Sequence, residues 1–107
     1  MHPCLLDENT PVAFARLITV HEVSTIQGLG WAGVKNGELM RKASQVCDVF
    51  ITLDRNLEYQ QSVKNLSFGV VVLVARSSRL ADLSPLVPGL LQAIGNAIAG
   101  KVLKVNL

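Results

Sequence analysis

Eight acidic residues are spread along this 107-residue chain: Asp7, Glu8, Glu22, Glu38, Asp48, Asp54, Glu58 and Asp82. Two of them are distinguished by what precedes them. Asp7 follows the apolar run Pro3-Cys4-Leu5-Leu6, and Asp54 follows Val49-Phe50-Ile51-Thr52-Leu53. Each run has the length and content of a buried β-strand. If helices cross between such strands, the strands are parallel and both carboxylates stand at strand C-terminal ends, where open α/β sheets form their ligand crevice. Glu38, at a helix start, falls on the same rim. Carboxylates gathered from distant parts of a chain repel one another unless a cation neutralises them. Mg²⁺ or Mn²⁺, held by carboxylate oxygens and retained waters, is the cation such a set suits.

Each acid also has a plainer use. Asp7-Glu8-Asn9 can cap the helix entered at Pro11. Glu38 in a first helical turn interacts favourably with the helix dipole. Asp54-Arg55-Asn56 is a turn signal as well as a ligand position. Around this rim, Asn9 and Asn56 are placed to hydrogen-bond to metal-bound waters, and Thr52 shares the strand face of Asp54. Arg76, Ser77, Ser78 and Arg79 follow another strand, so with Lys35 and Arg55 they either contact phosphates or form a solvated loop. Trp31 stacks a base or plugs the rim of the core. His2 and His21 lack ligand spacing and receive no role.

These residues need a scaffold, and the apolar pattern describes one. Pro11 suits the first turn of a helix whose face is Val12, Phe14, Ala15, Leu17 and Ile18. A short strand over residues 22–26 leads to the glycine-punctuated loop 27–33. Asn36 is expected to cap a helix that buries Leu39, Met40, Ala43 and Val46. A short helix or turn is expected over 56–63, and an almost wholly apolar strand over 69–75, buried on both faces as in a parallel sheet. Ser84-Pro85 opens a helix with Val87, Leu90, Leu91, Ile94 and Ile98 at spacings of three and four. Leu86, Ala93 and Ala97 widen that stripe enough to suit a homodimer face. Residues 101–107 alternate enough to form a late strand at a sheet edge. The alternation of strands and helices predicts a three-layer α/β/α sandwich with a mostly parallel central sheet, one domain spanning residues 1–107.

Composition sets limits on partners. Half the residues are hydrophobic and the net charge is +2, so there is no global basic field, and a polyanion must be met by a local cluster. Cys4 and Cys47 lie within apolar runs and are expected as reduced core thiols. The acidic pair at 7–8 leaves no room for a secretory apolar segment, and no apolar run reaches the roughly 20 residues of a membrane span. The expectation is a cytoplasmic protein with no membrane contact.

Three segments, in order, resemble the PIN-like family of short bacterial proteins. They are Leu5-Leu6-Asp7-Glu8-Asn9, then Gly28-Leu29-Gly30-Trp31-Ala32-Gly33 with Asn36-Gly37-Glu38-Leu39, then Ile51-Thr52-Leu53-Asp54-Arg55-Asn56-Leu57. That family opens with an LLDEN segment, continues with a glycine loop leading to an acid, and then has a T-x-D-x-(D/N)-(F/L) segment before a valine-rich strand. The resemblance implies a metal-dependent ribonuclease, often the toxin of a toxin–antitoxin pair. Asp7, Glu38 and Asp54 match its metal-binding and catalytic acids. Glu8, Asn9, Thr52, Arg55, Asn56, Arg76 and Ser77 stand around them as supporting or substrate-contacting residues. Asn56 occupies a position where many PIN domains carry a fourth acid, which removes one negative charge. The implied chemistry is hydrolysis of RNA phosphodiesters by water activated on one or two Mg²⁺ or Mn²⁺ ions. The implied partners are RNA and an antitoxin protein.

Two other readings compete. A catalytically silent PIN-like interaction module would keep the fold as a binding surface. A phosphoacceptor receiver domain also has an acidic pair after strand one and an aspartate after strand three. It wants a Met-Pro turn where this chain has Arg55-Asn56, and a lysine after the last strand, which is missing. A haloacid-type phosphatase requires Asp-x-Asp after strand one, and Asp7-Glu8-Asn9 does not supply it.

Overall fold

Five strands form one sheet in the computed structural model, which describes residues 2–59 and 61–107. They are β1 (Pro3–Leu6), β2 (Glu22–Thr25), β3 (Val49–Thr52), β4 (Gly69–Leu73) and β5 (Val102–Val105), ordered β2-β1-β3-β4-β5, with every pair parallel. Strand periodicity divides the side chains between two faces. Cys4, Leu6, Val49, Ile51, Val71 and Leu73 pack on one face with Phe14, Leu83, Leu90 and Ile94. Leu5, Phe50, Val70 and Val72 pack on the other with Ile26, Leu39, Ala43, Leu57 and Phe68. Both faces are thus covered, which is why β3 and β4 are buried at every residue and why their sequences run apolar without alternation. Burying each large apolar side chain contributes about 1.5–3 kcal/mol. Phe50 and Phe68 meet edge to face, their ring centroids 6.3 Å apart.

Among the described residues, three α-helices accompany the sheet: α1 (Asn36–Ala43), α2 (Leu80–Leu83) and α3 (Val87–Gly95). Tighter 3-10 turns occupy Val12–Leu17, Arg55–Tyr59, Gln61–Asn65 and Ser84–Leu86. Several expectations change here. The helix expected after Pro11 is a single 3-10 segment that buries Phe14 and leaves Val12 52% exposed. Six residues between two turns are too few to present a full amphipathic face. Lys35 caps α1 and Asn36 is its first helical residue, with the Leu39 amide bonded to the Lys35 carbonyl at 2.7 Å. Val46 lies beyond α1 and is exposed. The expected helix or turn over 56–63 includes residue 60, which lies outside the described residues.

The last helical run begins earlier than Ser84-Pro85, at Leu80, and its breadth is used inside the chain. Leu86, Leu90, Ala93 and Ile94 are buried, while Val87, Leu91 and Ala97 pack against the same cluster. Ile98 lies past the end of α3 and is 62% exposed. The wide stripe that suggested a dimer face is therefore largely core. Residues 102–105 do form an edge strand. Among the described residues no helix is long and apolar enough to cross a membrane.

Candidate functional site

The strand order reverses direction between β1 and β3, and in open parallel sheets the crevice lies beyond the strand ends at that point. The register sets Leu6 beside Ile51, so the next residues, Asp7 and Thr52, emerge together. The Asp7 amide donates to the Ile51 carbonyl at 2.9 Å, which extends the pairing by one residue and pins Asp7 against β3.

Thr52 joins the two acids. It is 0% exposed. Its hydroxyl donates to Asp7 Oδ2 at 2.7 Å and accepts the Asp54 amide at 3.0 Å. A hydroxyl has one proton to give, and here it goes to the carboxylate while a lone pair holds the backbone that carries Asp54. The other Asp7 oxygen accepts the Glu8 amide at 2.8 Å. Asp54 Oδ1 accepts the Asn56 amide at 2.9 Å, an Asx turn that fixes the rotamer of the carboxylate. The turn signal and the ligand position at Asp54 are thus compatible uses of one side chain.

Behind Asp7 the chain folds back through Thr10, a residue that carries no signal in the sequence. Thr10 is buried, and its amide and hydroxyl both donate to the Asp7 carbonyl, at 3.1 and 2.6 Å. Glu8 turns towards the glycine loop. Its Oε2 accepts the Gly33 amide at 3.3 Å, and its carbonyl accepts Gln27 Nε2 at 2.7 Å. Gly33 holds φ +83°, a conformation glycine adopts freely. Gly28 has a steric reason of its own: its amide donates to Thr25 Oγ1 at 2.9 Å, and an added Cβ would sit 2.7 Å from that oxygen. The loop is therefore a brace for the Asp7 turn. Trp31 packs at the rim of the second core cluster with Lys42 Nζ 5.3 Å from its ring centroid.

Glu38 lies in the first turn of α1 with an exposed side chain. Among the described residues, no three His, Cys, Asp or Glu side chains come together as a metal-holding group. The structure gathers Asp7 and Asp54 around Thr52 and does not add Glu38 to them. Magnesium is commonly held by one or two carboxylates, with waters and substrate phosphates completing its shell, and Asp7 and Asp54 each supply that type of donor. The pair does not make a closed three-carboxylate cage.

The rim continues past Asp54. Arg55 and Arg76 line a cleft of about 440 Å³ beyond the ends of β4 and β5, walled by Val74, Ala75, Pro85 and Leu86. Ser77 holds its own loop together. Its hydroxyl donates to Asp82 Oδ2 at 2.6 Å and accepts the Arg79 amide at 3.1 Å. At the opposite end of the sheet, His2 and His21 stack with centroids 5.9 Å apart, and the His2 amide donates to His21 Nδ1 at 3.0 Å. Burial, with the nearby N-terminal charge and His2, lowers the His21 pKa below its usual value. The β1–β2 register, which sets Pro3 beside Glu22, brings these histidines together, and spacing alone could not reveal it. Comparison of the chain with protein-family models, with curated proteins and with solved structures returns no match.

Proposed function

We propose that this chain is a Mg²⁺- or Mn²⁺-dependent ribonuclease of PIN-like type, built as a three-layer α/β/α sandwich and acting in the cytoplasm as the toxin of a toxin–antitoxin pair. The observation that supports this reading is the Thr52 joint, whose hydroxyl holds the Asp7 carboxylate and the backbone amide of Asp54, two acids from separate strands, at the sheet's reversal point. Asp7 and Asp54 bind the cation, and Thr52 and the Asn56 amide keep their oxygens oriented. Bound there, the cation would lower the pKa of water and neutralise charge on the phosphoryl oxygens. Arg55 and Arg76 attract the RNA backbone. Glu38 is the third acid of the motif, offered from the exposed first turn of α1. In this reading the partners are RNA, an antitoxin protein and a second copy of the chain.

The test is cleavage of a labelled single-stranded RNA with Mn²⁺. Wild type should cut, EDTA should stop it, and Asp7→Asn or Asp54→Asn should reduce the rate by about 100-fold or more, beyond what is typical of residues that merely orient ligands. Glu38→Gln should cost less. A purified wild type that leaves RNA intact at every Mn²⁺ concentration would leave the silent interaction module as the better account.

One observation favours a second reading. The order β2-β1-β3-β4-β5 is also that of flavodoxin-like sheets, a group that includes a receiver domain, and Asp54 stands where a phosphoacceptor would. Arg55-Asn56 after that aspartate, and Lys104 within rather than after β5, weigh against it. Incubation with acetyl phosphate followed by intact-mass measurement separates the two, since only a receiver should gain an acid-labile phosphoryl group on Asp54.

A further inference from the structure

We infer that the cleft beyond β4 and β5 is a seat for one nucleotide of a single-stranded RNA, with Arg55 and Arg76 gripping its phosphate and the aliphatic wall covering its sugar and base. The choice of RNA as the ligand rests on the nuclease reading above; the seat itself rests on the cleft. Its volume is about 440 Å³, within the range of small-molecule pockets. Two guanidinium groups come to it from separate strand ends, Arg55 after β3 and Arg76 after β4. Neither forms an ion pair with Asp7, Asp54 or Asp82. Asp82, the acid in the wall, already accepts the Ser77 hydroxyl, which holds the loop bearing Arg76 in place.

Val74, Ala75, Pro85 and Leu86 supply an apolar surface beside the charge. That mixture suits a nucleotide, which has an anionic end and a flat, weakly polar body, better than it suits a bare anion. Arginine is the residue for planar, two-pronged phosphate contact. The placement relative to the acids is also favourable. The gap between β1 and β3 and the gap between β4 and β5 are two strand spacings apart, about 10 Å, a distance a short stretch of single strand can cover. Arg55 follows Asp54 directly, so the seat and the acid pair share one edge. A strand held in the cleft would be led across the carboxylates.

Fluorescence anisotropy with a short 5′-fluorescein oligouridylate, in EDTA so that no cation occupies the acids, tests the seat. Wild type should bind, and Arg55→Ala/Arg76→Ala should weaken binding about 10-fold or more. The slope of log K against log salt should fall by about 0.7, the value for one lost phosphate contact on a single strand. Both arginines are exposed, so the variant should keep the wild-type circular dichroism and melting temperature. Lys64→Ala/Lys101→Ala removes the same charge at the opposite end of the sheet and should leave affinity near wild type. Absence of binding by wild type, or equal losses in the two double variants, would overturn the seat. Tight, arginine-dependent binding without cleavage in Mn²⁺ would end the nuclease reading and leave the seat standing.

Discussion

Thr52 has no slack in its bonding. Thr52 is itself fully buried, with its proton and one lone pair both committed, so Thr52→Val, which keeps the shape and removes the hydroxyl, strands the Asp54 amide and one Asp7 oxygen. The expected cost is about 1–3 kcal/mol, read from urea unfolding, whereas Thr52→Ser should recover most of it. Equal stability of the valine variant would mean that water replaces the hydroxyl and that the joint is not structural. The cysteines make a second prediction. Burial pushes Cys4 and Cys47 from the ordinary 9.0 up to about 12, with the Asp48 charge adding to the effect at both. Because the folded-state pKa is raised, the stability it contributes is fully present below about 9 and is lost as pH rises towards about 12. Both thiols should resist a disulfide reagent at pH 8 until denaturant is added, and stability should decline across that alkaline window. Rapid labelling of the native protein would contradict the burial.

The elements are legible from sequence in proportion to how little tertiary structure they need. Strands β1, β3 and β4 are continuous apolar runs with turn signals after them, and each lies close to its expected span. The segment after Pro11 carries a helical spacing, yet it folds as a six-residue 3-10 segment over Val12–Leu17. Helix α2 gives no such signal, since Leu80-Ala81-Asp82-Leu83 is too short to show a period. The connection into β2 also contains a strained residue. Val20 sits at φ 65° with 73% of its surface exposed, a conformation that β-branched residues rarely adopt. Val20→Gly should relieve about 1–2 kcal/mol of backbone strain against about 0.5–1 kcal/mol of added chain entropy. A small net gain in melting temperature is expected, with none for Val20→Ala, which keeps its Cβ.

At the scale of the molecule, what the sequence lacks is strand order. The runs ending at Asp7 and Asp54 are visible in it, but nothing in a linear pattern says that β1 and β3 are neighbours. Register then decides the site: it sets Asp7 beside Thr52 and gives the buried hydroxyl its partner, while Glu38 remains on a helix with no strand to align it. The two histidines show the converse, a contact made wholly by the β1–β2 register between residues 19 apart in sequence.

The sheet order has one more consequence. Its margins are β2 and β5, whereas the acid-bearing β1 and β3 each have hydrogen-bonded neighbours on both sides. Partial openings of a native protein begin where ladders have a free side, so fraying removes the margins first and leaves the carboxylate joint assembled. Any chemistry at that joint would therefore survive thermal fluctuations that already loosen the periphery, and would cease only when the whole chain comes apart.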